Sequence, residues 1–262
     1  MAALLSLREL KETVANPKTV LARTVMYRDT TGEDSDDYES AIVYDKGAHF
    51  LRVLEAHFGR PAFDAFLRGY FDSHRFQSMT TPQFLGILER DLFKGDRAAW
   101  AALKVDEWVT GPGLPDNVVV PPSQRFELTR TAAQAFAKDG SLAGVKKDWV
   151  TAEWLDFLGA LPRALTRAQL DALDQAFAFS KSGNAEILSA WLLHAVRNDY
   201  EPAYPALEDF LLRQGRRKFL RPLYQALQDN PKTRERAKAI YARARAGYHP
   251  IATATIDAIL KS

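Results

Sequence analysis

Apolar residues recur three and four positions apart through most of this chain, which is the spacing of one face of an α-helix. One such stripe consists of Phe50, Leu51, Val53, Leu54 and Phe58. The next follows Pro61 and consists of Phe63, Phe66, Leu67, Tyr70 and Phe71. Almost no stretch alternates with the period of two that marks a strand, so the pattern predicts an all-α protein.

Glycine and proline interrupt this helical pattern near residue 111. The segment Gly111-Pro112-Gly113-Leu114-Pro115 is soon followed by Pro121-Pro122, and breakers at this density are typical of a linker. We therefore predict a first part over residues 1–110, a linker over 111–123 and a second part over 124–262. The second part reads as helices joined by short turns, which is the pattern of a helical solenoid.

Composition excludes several classes of protein. There is no cysteine, so disulfides and thiolate metal sites are excluded, and 35 basic against 33 acidic residues give a net charge of only +2. No apolar run approaches the roughly 18 residues of a membrane span. The first ten residues lack the basic and apolar regions of a signal peptide. We expect a cytoplasmic protein with neither a nucleic-acid nor a membrane partner.

The segment Ile42-Val43-Tyr44-Asp45-Lys46-Gly47 leads into a long helical run that we expect to begin at Ala48. A phenol at a helix N-terminus lies where backbone N–H groups and the helix dipole favour negative charge. The Tyr44 hydroxyl could there donate a hydrogen bond to an oxyanion, as acyl-transfer chemistry requires. The alternative is a partly buried tyrosine whose hydroxyl is satisfied by ordinary packing.

A second notable segment is strongly basic. Between Arg213 and Arg221, five of nine residues are cations, and Gly215 precedes the start of a predicted helix. Arginine can hold a carboxylate through two parallel hydrogen bonds, and lysine adds a point charge. A solvated basic face is the alternative. A nucleic-acid surface is disfavoured because acidic residues occur throughout the chain and no aromatic stacking platform is evident.

The chain taken alone contains no complete catalytic set. Its five histidines, His49, His57, His74, His194 and His249, include no His-Glu-x-x-His frame, so we expect no zinc site built from this chain. No Gly-x-Ser-x-Gly turn and no glycine-rich phosphate loop is found either.

These motifs, in this order, resemble the M1 family of zinc aminopeptidases, most closely its leukotriene A4 hydrolase branch. Tyr44-Asp45-Lys46-Gly47 resembles the family's Tyr-Glu-Lys-Gly, with Asp45 in place of the glutamate. Trp108 with the Pro-Gly-Leu-Pro at 112–115 resembles the end of its catalytic domain. Residues 215–223 resemble its Gly-Arg-x-Lys-Phe-x-Arg-Pro-Leu, and 248–251 its Met-His-Pro-Val. The similarity runs from about Ala3 to the C-terminus.

The resemblance implies roles for individual residues. Tyr44 matches the tyrosine that stabilises the tetrahedral oxyanion, and Arg216 and Lys218 match the basic pair that receives the substrate's free carboxylate. Tyr38 is matched with a second active-site tyrosine, although its spacing to Tyr44 is one residue longer than in the family. Asp36, counted back from Tyr44, is matched with an aspartate that shapes the pocket.

The resemblance also assigns the parts of the chain. Residues 1–110 correspond to the C-terminal helical part of a thermolysin-like catalytic domain, and 124–262 to the leukotriene A4 hydrolase-like C-terminal helical domain. The family's zinc helix lies upstream of the matched region, so zinc belongs to the intact enzyme and none is expected in this chain alone. The implied partners are a short peptide substrate and the missing N-terminal portion of the enzyme. The alternative is a stand-alone helical-solenoid binding module with a basic groove for acidic peptides or carboxylates.

Overall fold

The computed structural model describes residues 1–17, 19–28 and 40–261, and in this part of the chain every regular element is helical. The α-helices are α1 (Ala2–Ala15), α2 (Ser40–Phe58), α3 (Arg60–Ser73), α4 (Thr81–Ile87), α5 (Arg97–Ala102), α6 (Val105–Thr110), α7 (Gln124–Asp139), α8 (Thr151–Ala160), α9 (Arg167–Phe177), α10 (Ala185–Arg197), α11 (Tyr204–Arg213), α12 (Arg217–Asp229), α13 (Arg234–Ala244) and α14 (Pro250–Lys261). A π-helix, Leu88–Leu92, continues α4, and short 3₁₀ turns lie between several helices. The all-α prediction is confirmed.

The chain packs into two compact units, Ala2–Pro122 and Ser123–Ser262. Each has its own apolar core, as expected when one hydrophobic stripe per helix must be buried against a neighbour. The finer division into 1–110, 111–123 and 124–262, with a family domain assigned to each part, stays a prediction. No helix of the described residues is long and apolar enough to cross a bilayer.

The core of the first unit is formed mainly by α2, α3, the π-helix, α5 and α6. Its buried side chains are Phe50, Val53, Leu54, Phe63, Phe66, Ile87, Leu88, Leu92, Phe93, Trp100, Val105, Trp108 and Val109. The predicted stripe of α3 is confirmed at Phe63 and Phe66 but is wrong at Phe71, which is 64% exposed. The ring of Tyr70 instead packs against Phe66 and Phe84, so α3 turns Phe71 toward solvent.

Helix α2 begins earlier than the sequence predicted. It runs from Ser40 rather than from Ala48, so Tyr44 lies in its second turn and not at an N-terminus. The prediction that the helix dipole favours an oxyanion at Tyr44 is therefore wrong, because the dipole acts within the first turn. The β-branched pair Ile42 and Val43 did not prevent helix formation, because Ile42 is buried and contributes to tertiary packing.

The second unit arranges its helices in two rows. Helices α8, α10, α12 and α14 contact one another in that order, and α11 contacts α13 in the second row. Contact between alternate helices along the chain is the arrangement of a helical solenoid, as predicted. The core includes a run of touching aromatic rings that contains Trp149, Trp154, Phe157, Phe177, Phe179 and Trp191.

Local signals fix where these helices begin. A capping box begins α9: the Gln169 N–H donates to Thr166 Oγ1 at 3.2 Å, and the Thr166 N–H donates to Gln169 Oε1 at 2.9 Å. Asn184 caps α10 in the same manner, accepting hydrogen bonds from Glu186 and Ile187. Helix α12 begins at Arg217, directly after the predicted break at Gly215, with Arg216 as its N-cap residue.

Candidate functional site

Tyr44 is presented to solvent by the second turn of α2. Its side chain is 78% exposed, so the interpretation of a partly buried tyrosine satisfied by packing is wrong. Val43 beside it is also exposed, at 37%. A large phenol on a helix surface carries a hydroxyl that can donate a hydrogen bond to an incoming group.

The opposite side of α2 is held by a buried lysine. Lys46 is 0% exposed, and its Nζ donates to the carbonyl oxygens of Thr24 at 3.2 Å and Gly111 at 2.6 Å. Burial lowers the pKa of Lys46 to about 8, and the negative charge of Glu107 opposes that shift. Two residues along an α-helix correspond to a rotation of about 200° about its axis, so Tyr44 and Lys46 lie on nearly opposite sides of α2. The hydrogen bonds that hold Lys46 inward therefore also direct Tyr44 outward.

The carbonyl that Lys46 binds most closely depends on a glycine. A Cβ atom at position 111 would lie 2.5 Å from the carbonyl oxygen of Glu107, closer than any side chain tolerates. Glycine at position 111 therefore allows the close backbone approach at the C-terminal end of α6. The Thr24 hydroxyl strengthens this junction, because it accepts from the Gly113 N–H at 2.6 Å and donates to the Leu21 carbonyl at 2.6 Å.

His49 lies one turn further along α2 and is also fully buried. Its Nε2 is 3.2 Å from Ser6 Oγ on α1, and its Nδ1 has no partner among the described residues. Burial, followed by the nearby charge of Arg52, lowers the pKa of His49, so the ring is neutral at pH 7. His49 therefore packs α1 against α2, and we assign it no ligand role.

Arg216 and Lys218 lie together at the beginning of α12. Arg216 is the N-cap residue, Lys218 is the second residue of the helix, and the first turn contains no acidic residue. Both side chains are exposed. Unpaired backbone N–H groups at a helix N-terminus attract anions, and two cations beside them increase that attraction. This end of α12 is therefore suited chemically to a carboxylate.

Lys218 already has an internal carboxylate partner. Its Nζ donates to Glu186 Oε1 at 2.7 Å, and the same ammonium lies 5.4 Å from the ring centre of Phe219. No ion pair or side-chain hydrogen bond of Arg216 occurs among the described residues. The interpretation of a wholly solvated basic face therefore does not fit Lys218.

Two of the predicted site residues, Asp36 and Tyr38, lie outside the described residues. Sequence reasoning missed Lys46 and Glu186. Lys46 appeared only as part of a motif, and the signal that it is buried was its position four residues after Ile42 and four before Phe50, on the apolar stripe of α2. Glu186 carried no signal, because its partner lies 32 residues away along the chain.

The described residues do not fit zinc. No group of three or more histidine, cysteine, aspartate or glutamate side chains in residues 1–17, 19–28 and 40–261 could hold a metal ion. His194, like His49, is a packing residue, since its Nε2 lies 2.8 Å from the Leu158 carbonyl oxygen and burial lowers its pKa.

Two family sequence models match consecutive parts of the chain. The model described as "Peptidase family M1 domain" matches residues 3–108, the part that contains Tyr44. The model described as "Leukotriene A4 hydrolase, C-terminal" matches residues 149–260, the part that contains Arg216 and Lys218.

Named relatives are similar over most of the chain. "Leucine aminopeptidase 2" of Yarrowia lipolytica is 30% identical over 236 residues, which is 84% of this chain and 36% of the relative. "Leukotriene A-4 hydrolase homolog" of Botryotinia fuckeliana is 29% identical over 245 residues, 91% of this chain and 38% of the relative. The chain thus spans well under half the length of these relatives.

A solved structure has the same fold. Yeast LTA4 hydrolase in complex with bestatin aligns with a TM-score of 0.82 and 23% identity, covering 100% of this chain and 46% of the yeast chain. At that identity the likeness establishes the fold alone. Together with the two family matches and the named relatives, it leads to one assignment. The chain belongs to the M1 peptidase family, in its leukotriene A4 hydrolase branch.

Proposed function

We propose that this chain is part of a zinc aminopeptidase that removes N-terminal residues from short peptides. The observation that carries the proposal is the order of the two family matches, with Tyr44 within the first and Arg216 and Lys218 within the second. The relatives named leucine aminopeptidase support a hydrolase that acts on peptide N-termini. The zinc ligands and the remaining portion of the enzyme would be supplied by residues outside the described part of this chain.

Tyr44 would act as a hydrogen-bond donor to the oxyanion of the tetrahedral intermediate. Its exposure of 78% supports this role, because the hydroxyl is available to a ligand rather than used in the core. The buried Lys46 fixes the rotation of α2 and so keeps the phenol directed outward. A donor that is already in position loses little orientational freedom when charge develops in the transition state.

Arg216 and Lys218 would bind the free carboxylate at the far end of a short peptide. The guanidinium can make two parallel hydrogen bonds to a carboxylate, whereas the ammonium contributes a compact charge. The N-terminus of α12 adds unpaired N–H groups in the same place. These residues would hold the substrate and would take no part in bond cleavage.

Replacing Tyr44 by phenylalanine tests the proposal. In an enzyme reassembled from this chain and its zinc-bearing portion, Tyr44→Phe should lower kcat about 10²–10³-fold, the usual effect of losing one oxyanion donor. Zinc content, measured by mass spectrometry, should remain unchanged. Tyr27→Phe, at a tyrosine of the same unit that is 41% exposed, is the matched control and should leave kcat unaltered. Unchanged kcat in Tyr44→Phe would remove Tyr44 from the proposed role.

A stand-alone binding module is the second candidate. It is favoured by one observation: the basic end of α12 and its partner Glu186 lie in the same unit, Ser123–Ser262, and need no metal. This candidate gains support if the isolated chain binds a carboxylate-ended peptide while reassembly with a zinc-bearing portion produces no peptidase activity. Peptidase activity on reassembly supports the first candidate instead.

A further inference from the structure

The ion pair between Lys218 and Glu186 places a carboxylate of the protein where the proposed function places a carboxylate of the substrate. Glu186 Oε1 lies 2.7 Å from Lys218 Nζ, which is the distance of a strong charge-assisted hydrogen bond. The Glu186 carboxylate thus lies at the position beside Lys218 that is proposed for the carboxylate of the peptide. This reasoning rests on the proposed role of Arg216 and Lys218.

Glu186 is held in this position by the start of α10. Its backbone N–H donates to Asn184 Oδ1 at 3.0 Å, and Asn184 in turn donates to Thr151 Oγ1 on α8 at 2.9 Å. Helices α10 and α12 pack directly against each other, so the backbones that carry Glu186 and Lys218 are fixed. The backbone positions therefore favour the ion pair, and rotation of the two side chains is enough to open it.

The two cations of the site are consequently not equivalent. Arg216 has no acidic partner among the described residues, whereas Lys218 has one. An incoming carboxylate can bind Arg216 directly. To bind Lys218, the incoming carboxylate must either displace the Glu186 carboxylate or lie close to it. Two carboxylates beside one ammonium repel each other.

The ion pair is exposed enough for such an exchange. The side chains of Lys218 and Glu186 are 47% and 32% exposed, so separating them buries no unpaired charge. Exposed pairs of this type contribute little to stability, corresponding to about a twofold to fivefold effect on an equilibrium constant. Displacing Glu186 from Lys218 should therefore lower the affinity for a carboxylate by only a modest factor.

We propose that Glu186 is a specificity-determining residue that competes with the substrate carboxylate for Lys218. Its presence narrows the difference in affinity between peptides that end in a free carboxylate and peptides that end in a neutral amide. Removing its charge should widen that difference. A purely positioning role predicts the opposite, because loss of the ion pair would then weaken carboxylate binding.

Glu186→Gln separates these two roles, because glutamine keeps the size and the hydrogen-bond acceptor of glutamate but lacks the charge. The full 262-residue chain is titrated calorimetrically with trialanine and with trialanine amide. In Glu186→Gln, the Kd for trialanine should fall about twofold to fivefold, and the Kd for the amide should not change. Glu208→Gln is the matched control, since Glu208 forms an exposed ion pair with Arg243 in the same unit; it should change neither Kd.

Lys218→Met completes a double-mutant cycle. On this background Glu186→Gln should lose its effect, because the cation for which the carboxylates compete is absent. An unchanged or raised Kd for trialanine in Glu186→Gln would overturn the proposal. If that happens while Arg216→Met and Lys218→Met still weaken trialanine selectively, the proposed carboxylate site stands and only the competition fails. If trialanine and trialanine amide have the same Kd in wild type and in every variant, the carboxylate site itself is refuted, and the proposed competition is refuted with it.

Discussion

At the scale of single residues, Lys46 has a structural role in the first unit that its place in a sequence motif does not indicate. A fully buried ammonium that binds two backbone carbonyls joins α2 to the segment before it and to the end of α6. Burying the charge is costly, because desolvation disfavours the charged form of a lysine. The lowered pKa of Lys46, about 8, expresses that cost.

The lowered pKa predicts how stability depends on pH. Between pH 8 and the ordinary lysine value of 10.5, folded Lys46 is neutral while the unfolded chain still binds the proton, so stability rises with pH in this range. Relative to Lys46→Met, the free energy of unfolding of wild type should increase by about 1 kcal/mol from pH 7 to pH 9. Urea unfolding at both pH values measures this difference.

Lys11→Met provides the control for that experiment, since Lys11 is an exposed lysine of the same unit. As a substitution on the surface, it should change the free energy of unfolding by less than about 0.5 kcal/mol at both pH values. A difference between wild type and Lys46→Met that is flat, or that decreases from pH 7 to pH 9, would contradict the assignment of Lys46 as a buried group with a lowered pKa.

At the scale of elements, the helix boundaries follow local chemistry where a cap is present. Thr166, Asn184 and Arg216 each directly precede a helix, and the break at Gly215 beside Arg216 lies where the sequence predicted it. Helix α2 is the exception. Its sequence offers no such cap at Ala48, and tertiary burial of Ile42 and Lys46 extends the helix to Ser40.

The capping box of α9 gives a prediction at this scale. Thr166→Ala removes the acceptor of the Gln169 N–H and should lower the free energy of unfolding by about 1 kcal/mol. Thr131→Ala is the control: Thr131 is exposed within α7 and its hydroxyl donates only to the Glu127 carbonyl, so no comparable loss is expected. Chemical denaturation followed by circular dichroism measures both. Equal effects of the two substitutions would show that the cap contributes nothing specific.

At the scale of the whole molecule, the chain matches a metallopeptidase family, but its described residues include no metal-binding group. It also spans only 36% to 38% of the two curated relatives described above. Peptidase activity therefore stays a proposal for this chain.

Metal content gives a prediction for the whole chain. After expression in zinc-supplemented medium and dialysis, the 262-residue chain should hold far less than one zinc ion per molecule, because no set of ligands with the required geometry is available in the described residues. Plasma mass spectrometry measures the ratio. One zinc ion per chain that survives dialysis would contradict this and would direct attention to the acidic segment between residues 29 and 39.

The sequence alone determined the helical class, the helix break at Gly215 and, through the resemblance, the family. Periodic apolar residues and capping residues act over one or two turns, so they can be read directly from neighbouring positions. The candidate residues Tyr44, Arg216 and Lys218 also came from the sequence, through the resemblance. Their assigned roles remain proposals.

Only the tertiary structure decided that Tyr44 is exposed, that Lys46 binds the Gly111 carbonyl, and that Lys218 is paired with Glu186. Each of these depends on residues that are distant along the chain: Gly111 lies 65 positions from Lys46, and Glu186 lies 32 positions from Lys218. Burial and ion pairing depend on which helices pack together, and local spacing contains no information about that choice. The physical reason is that these contacts form between elements rather than within them.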